Sequence, residues 1–265
     1  MVLVHGGKDH SRNWDWTVAH LIEDYCVICP DMRGHGDSGR SSGGGYASDI
    51  FVSDFAGFMH HIEEEGFVMP IPLIGHSMGG NIVLAYAAAY PEKVTRLIAM
   101  EGLGASQKMY DEFDEAPPAK RLRSWIDRRL GTAAKNPRRF DNPDVMVERM
   151  ASAHKNLKPE QARHLALHAA RKYEDGWGWK HDPQFGFFPP AKMTPPQEYG
   201  RLYEGVECPV FLMRGEDSWA SDPVKDGRIE SFKNARSKNY PNAGHWLHHD
   251  AFDLYVEDVK SFLKE

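Results

Sequence analysis

A chain of 265 residues, 41% hydrophobic and 26% charged, has an ordinary globular composition and the length for one full core plus an insertion. Its formal charge of −6 argues against a nucleic-acid or anionic-membrane partner, either of which would want a basic face. No apolar run reaches the ~18 residues that span a bilayer, and no secretory leader is read in the first residues, so a cytoplasmic protein is expected.

Met1–Val4 predicts a short strand that runs into His5-Gly6-Gly7, and Trp14–Asp24 a helix. Tyr25–Pro30 predicts a strand, followed by Asp31-Met32-Arg33-Gly34-His35-Gly36-Asp37-Ser38 and a Ser/Gly-rich loop at 40–45. Ala47–Glu65 is helical, with Ile50, Phe51, Phe55, Phe58 and Ile62 near helical spacing. Ile71–Ile74 predicts a strand, Met78–Tyr90 a helix and Val94–Met100 a strand. After a long interval come strands at Pro209–Met213 and Ser237–Tyr240, then a closing amphipathic helix, Ala251–Lys264. Such alternation implies an α/β protein with a mostly parallel, doubly wound sheet.

The interval 103–200 breaks the alternation. Its clear segments are helical (Ala119–Leu130, Asp144–His154, Pro159–Lys172), and its end, 175–196, is rich in Gly, Pro and aromatics. The expected organisation is a core of 1–102 and 201–265 with a helical lid at 103–200, since a structureless linker of that length is unusual in a compact domain.

Cys26, Cys29 and Cys208 suggest no disulfide scaffold. Cys26 and Cys29 form a C-x-x-C, but on a strand a three-residue offset points the thiols to opposite faces, so core packing is the expectation. His164 and His168 have the i, i+4 spacing that can hold zinc. With no third ligand evident in the sequence, a structural role is expected for them. His248 and His249 are expected to cap a helix or face solvent.

The run Leu73-Ile74-Gly75-His76-Ser77-Met78-Gly79-Gly80 is an apolar strand entering Gly-x-Ser-x-Gly and then an Ala-rich helix. In that context the pattern is a nucleophile elbow, a turn so tight that its flanking glycines must lack side chains. Ser77 needs a base to take its proton. His245 is the candidate, in the loop Pro241–Trp246 between the last strand and the last helix. The base needs an acid to fix its tautomer. Asp217, just beyond the strand Pro209–Met213, is preferred. Glu216, Asp222 and above all Glu101, at the end of Val94–Met100, are its rivals. Backbone N–H groups of Met78 and Gly7 are the expected oxyanion donors. Lys8, His76, Glu101, Trp179 and Trp246 are candidate substrate contacts. Residues 8–14 either touch substrate or pin the loop they belong to. Trp177, Phe185, Phe187 and Phe188 either line an apolar pocket or pack the lid on the core.

His5-Gly6-Gly7, Pro30–Ser38, Gly75–Gly80 and Gly244-His245-Trp246 resemble, in order, the four signatures of the α/β-hydrolase superfamily. The resemblance implies the serine–acid–histidine triad, the oxyanion roles of Gly7 and Met78, and a lid inserted after the strand that ends at Glu101. A serine at position 77 resembles esterases, lipases, lactonases and carbon–carbon bond hydrolases; haloalkane dehalogenases and epoxide hydrolases carry aspartate there. Members usually have two strands before the His-Gly loop, whereas here only Met1–Val4 precede it, so the first strands are read as missing. The expected activity is cleavage of carboxylic esters or related acyl bonds of a small apolar substrate, without metal or organic cofactor. One alternative is a carbon–carbon hydrolase of meta-cleavage type, whose carboxylate substrate would want a cation such as Lys8, Arg121 or Arg123. The other is a ligand receptor on the same fold that does not turn over. Oligomeric state is not legible in the sequence.

Overall fold

The computed structural model describes residues 1–42, 45–134, 137–186 and 194–265. Five parallel strands form the central sheet: β1 (Val2–Val4), β2 (Ile71–His76), β3 (Val94–Met100), β6 (Val210–Gly215) and β7 (Ala235–Tyr240), in the order β1-β2-β3-β6-β7. Helices α1 (Asp15–Ala19), α2 (Ser48–Glu64) and α3 (Met78–Ala89) lie in the first half of the chain. Between β3 and β6 come α4 (Gln107–Glu115), α5 (Pro118–Ala133), α6 (Asp144–Ala153), α7 (Pro159–Ala169), an antiparallel hairpin of β4 (Ala170–Tyr173) and β5 (Gly176–Trp179), and α8 (Pro196–Tyr203). Two helices close the chain, α9 (Leu247–Asp250) and α10 (Phe252–Lys264). Among the described residues no helix is long and apolar enough to cross a membrane.

Alternate side chains along a strand point to opposite faces, and the strands of this sheet are apolar on both. Val2, Val4, Leu73, Leu97, Ala99, Val210 and Leu212 face α2 and α3, where Phe51, Phe55, Met59, Ile82 and Val83 meet them. Leu3, Ile74, Ile98, Met100, Phe211 and Met213 face the other way, onto Trp14, Leu21 and the Tyr255, Val256, Val259 and Phe262 stripe of α10. Two buried faces account for the continuous apolar runs. Tyr203 of α8 also packs in the first of these cores.

Several expected elements differ. The 14–24 helix is a 3-10 turn (Ser11–Trp14) and the short α1, followed by turns. Tyr25–Pro30 makes a single bridge, Ile28 to Val2, rather than a strand; the N–H of Leu3 and the carbonyl of Met1 bond Ile28 on either side, which partly covers the β1 edge. Cys26 is exposed and not in the core, whereas Cys29 is half-buried and its thiol is pushed up to about 12 by desolvation. The 159–172 helix stops at Ala169, where the chain turns into β4. Phe187, Phe188 and part of the 40–45 loop lie outside the described residues.

Candidate active site

In the sheet register His76 lies beside Met100, and Met100 beside Met213. The residues that follow these strands therefore emerge side by side at the carboxyl edge, where open α/β sheets place their sites. The N–H of Ser77 donates to Met100 O (2.7 Å), and that of Glu101 to Met213 O (3.0 Å). Both residues have left-handed backbone, φ 53° at Ser77 and 56° at Glu101. A non-glycine residue held there costs of order 1–3 kcal/mol and persists only where its surroundings over-determine it.

The surroundings are close-packed backbone. A Cβ on Gly75 would strike the carbonyl of Gly79, one on Gly79 the carbonyl of Val4, and one on Gly102 the carbonyl of Ser77. The elbow is thus pinned between β1, the head of α3 and the turn after β3. Met78 is the first residue of α3, so its N–H belongs to the unpaired set at a helix start. Gly7 lies across the mouth, with the Phe185 ring 2.8 Å from where its Cβ would be. Its loop is held by His5. The Met32 N–H donates to His5 Nε2 (3.0 Å), which puts the ring proton on Nδ1, the atom 2.7 Å from the carbonyl of Gly6. Desolvation takes the pKa of His5 down to about 3, so the ring is neutral and this tautomer is fixed.

His245 sits in the loop after β7. Its carbonyl is bound by His76 Nε2 (2.8 Å), the residue before Ser77, and the two rings are 4.9 Å apart. A Cβ on Gly215 would collide with the carbonyls of Ala243 and Gly244, so the loop seats directly on the end of β6. Gly244 N–H is tied to Asp250 Oδ2 (2.8 Å).

The carboxylate facing His245 is Glu101, not Asp217. Glu101 Oε2 is 3.1 Å from His245 Nδ1, and its side chain is fully buried. Gly215 N–H donates to Oε1 (2.6 Å), and the Ser218 hydroxyl makes a short hydrogen bond to Oε2. Three donors on one buried carboxylate offset its desolvation. Asp217 lies two residues beyond β6 with its side chain in solvent. Its contribution is a backbone N–H to Ala243 O (2.9 Å), which holds the turn against the histidine loop. Its rival Asp222 binds Asn239 and the N–H groups of Val224 and Lys225, and Glu216 is exposed.

A cavity of about 750 Å³ opens beside Ser77, Met78, Gly7 and Glu101. Its wall is largely apolar: Phe51, Val52 and Ile82 from α2 and α3, Leu103 after β3, Met109 and Phe113 from α4, with Phe185 and Trp219 at the edges. Trp219 also packs on His245, with ring centroids 4.9 Å apart. Helix α4, which sequence reasoning missed, starts at Ser106, whose hydroxyl accepts the Met109 N–H (3.4 Å); that N-cap was its one local signal.

Of the expected substrate contacts, Glu101 lines the cavity, but Lys8, His76, Trp179 and Trp246 are not among its lining residues. Lys8 is exposed. His76 is buried behind the elbow and anchors His245. Trp179 packs the hairpin against Phe140 and Met146, and Trp246 stacks on His154 at 3.6 Å. Of residues 8–14, Asp9, His10, Asn13 and Trp14 are buried and pin their loop. His248 and His249 are buried rather than surface residues, and both donate from Nε2 to Asn13 Oδ1, at 2.7 and 2.6 Å.

A strand–elbow–helix serine, with a histidine loop bound by the residue before it and backed by a buried carboxylate, is the arrangement of the α/β hydrolases. The family model of the alpha/beta hydrolase fold matches residues 1–252, and the chain belongs to that family. A serine hydrolase-like protein of Dictyostelium discoideum is 22% identical over 279 residues, covering 100% of this chain and 75% of that protein. The 2-hydroxy-6-oxo-2,4-heptadienoate hydrolase of Pseudomonas putida is 34% identical over 134 residues. That match covers 48% of this chain and 47% of the Pseudomonas protein, about half of each. Among solved structures, the thioesterase domain from the curacin biosynthetic pathway superposes with a TM-score of 0.80 at 21% identity, covering 98% of this chain and 90% of that one. An esterase of M. tuberculosis superposes at 0.79 with 19% identity, covering 100% and 84%. These structural likenesses show the fold.

Proposed function

We propose that this chain is a serine hydrolase that cleaves carboxylic esters of a small, uncharged, apolar substrate through an acyl-enzyme. The observation that carries the reading is the buried Glu101, held by Gly215 and Ser218 against His245 Nδ1 beside the Ser77 elbow. Glu101 keeps the His245 proton on Nδ1, leaving Nε2 as the base for Ser77. Ser77 attacks the carbonyl, the N–H groups of Met78 and Gly7 take the developing oxyanion, and His245 returns the proton to the leaving alcohol. Water activated by the same histidine then releases the acid. The 103–200 insertion serves as the lid, with Met109 and Phe113 of α4 over the acyl site.

The similarity to a 2-hydroxy-6-oxo-2,4-heptadienoate hydrolase raises the alternative of a carboxylate substrate, and the charges around the cavity speak against it. Lys8 is exposed, Arg121 donates to the carbonyls of Phe113 and Ala116, and Arg123 points to solvent beside Asp127. The cations lining the cavity among the described residues are Arg214, spent on the carbonyls of Ala220 and Ser218, and Arg228, spent on Leu103, Ser221 and Asp226. A neutral ester needs no free cation.

The test is hydrolysis of p-nitrophenyl esters from acetate to palmitate, with Ser77→Ala as the blank. Serine-dependent turnover with an optimum at roughly 4–10 acyl carbons is expected for a cavity of this size. Equal rates in Ser77→Ala would reject the mechanism. Turnover of a dienone carboxylate alone would give the site to carbon–carbon chemistry, and tight binding without turnover to a receptor.

Ser218 is a positioning residue in this scheme. Ser218→Ala removes one of three donors to the buried carboxylate and is expected to lower kcat roughly tenfold at unchanged KM. The acid limb of the kcat–pH profile should shift with it, because Glu101 then holds the imidazolium less rigidly. An unchanged profile would make Ser218 merely structural.

A further inference from the structure

We infer that Asp15, His164 and His168 form a binding site for one divalent transition-metal ion of the zinc type, bridging the insertion to the N-terminal part of the core. Asp15 opens α1, and the two histidines stand one turn apart on α7, so the fold supplies the third ligand that α7 lacks. The candidate ligand atoms, one per residue, all lie within 4.8 Å of one another. The two imidazoles have ring centroids 4.4 Å apart at a tilt of 58°, close enough for both to reach one ion by small χ rotations.

His164 Nε2 is 2.8 Å from Asp15 Oδ2, yet this buried nitrogen has no partner of hydrogen-bond geometry. Two neutral imidazoles and a carboxylate suit Zn²⁺, Ni²⁺ or Cu²⁺ rather than Ca²⁺ or Mg²⁺, which prefer oxygen ligands throughout. Three protein ligands leave a fourth position for water.

Arg12 competes for the same carboxylate, with Nε 2.9 Å from Oδ1 and Nη2 2.6 Å from Oδ2. Its side chain is 51% exposed and free to swing out, or to stay on Oδ1 while Oδ2 turns to the ion. The neighbourhood is otherwise built: Trp16 packs edge-on against His164 at 4.8 Å, and His10 Nε2 lies 3.0 Å from the carbonyl of Leu165 on the same turn of α7. An ion here would therefore clamp α7 to the segment that follows Gly7, at a distance from the Ser77 chemistry.

The test is Zn²⁺ titration of chelator-treated full-length protein by calorimetry, with Co²⁺ absorption as the spectroscopic readout. One ion per chain is expected, with visible Co²⁺ bands of a low-coordinate N/O site. Either His168→Ala or His164→Gln should weaken binding by at least about 100-fold, since even an outer-shell partner of a metal ligand is worth about 10–100-fold. His245→Ala should leave it unchanged. Where a histidine variant fails to fold by circular dichroism, Asp15→Asn, which keeps an oxygen for Arg12, carries the same expectation. Binding that survives His168→Ala, binding lost in His245→Ala, or no stoichiometric Zn²⁺ uptake would each overturn the site.

Discussion

Glu101→Gln is expected to lower kcat for ester hydrolysis by about a thousandfold to ten-thousandfold, while Asp217→Asn stays within about twofold of the parent chain. The size of the first effect follows from which way the new amide must face. Gly215 N–H donates to Oε1, so an amide oxygen is held at that position and the NH₂ group falls where Oε2 now meets His245 Nδ1. A donor there forces Nδ1 to accept, the ring proton moves to Nε2, and the face toward Ser77 can no longer take a proton. Volume and burial hardly change, so folding and KM should be preserved. Asp217 offers its site only a backbone N–H, which Asn retains. Both variants are to be assayed on the best p-nitrophenyl ester, with circular dichroism to show that they fold. A larger loss in Asp217→Asn, or a loss under tenfold in Glu101→Gln, would remove Glu101 from its place in the mechanism.

The sequence was most legible where chemistry is imposed by a few adjacent residues. The elbow, the His-Gly loop and the Gly244-His245-Trp246 loop could each be located from short runs of adjacent residues, and at the elbow Gly75 and Gly79 permit the close backbone approach the turn needs. The carboxylate that faces His245 was not legible in that way. Glu101 and Asp217 follow neighbouring strands at the same rim, and the choice between them depends on one backbone angle and two donors from β6 and its turn. What favoured Glu101 in the sequence was its place at the end of Val94–Met100; the Gly102 behind it is required because a Cβ there would collide with the Ser77 carbonyl. The hairpin β4–β5 was overlooked for a different reason. Its two connecting residues, Glu174 and Asp175, lead into Gly176 at φ 128°, a short Gly-marked turn, but Lys172 was assigned to the preceding helix and Trp177 and Trp179, which both follow the turn, to a Gly-, Pro- and aromatic-rich stretch. The third member of the Asp15–His164–His168 cluster had no local signal at all, since only the folded chain brings α1 to α7.

Stability is expected to fall steeply as pH drops below about 6.5, with unfolding complete between about pH 6 and 4. Five buried histidines, His5, His10, His76, His248 and His249, have pKa values pulled far down, first by desolvation: to about 3 in His5 and His249, to about 4 in His10, and well below the usual value in the others. Hydrogen bonding shows why charge is not tolerated. Asn13 Oδ1 takes both Nε2–H groups of His248 and His249, which leaves both Nδ1 atoms bare, buried and without an acceptor for a second proton. The sign follows from proton counts. Between the folded and unfolded pKa values the unfolded chain binds more protons, so stability is present above about pH 6.5 and is lost as pH falls. Asp9 opposes this. Desolvation raises it to about 8, so the folded chain binds its proton more tightly and that one group loses stability as pH rises from about 4 to 8. His35, His154 and His181 are lowered as well, and Asp250 is raised beside Asp9, so the lowered histidines outnumber the raised aspartates and the net slope keeps the histidines' sign, at about 1.4 kcal/mol per pH unit for each net proton against a typical total of about 5–15 kcal/mol. Thermal denaturation followed by circular dichroism from pH 7.5 to 4.5 measures the slope directly. His249→Gln, whose amide N–H can replace the Nε2–H toward Asn13, should flatten it by about one proton. A Tm independent of pH between 7 and 5 would show that these rings take up protons in the folded chain, and that the buried network around Asn13 tolerates the charge.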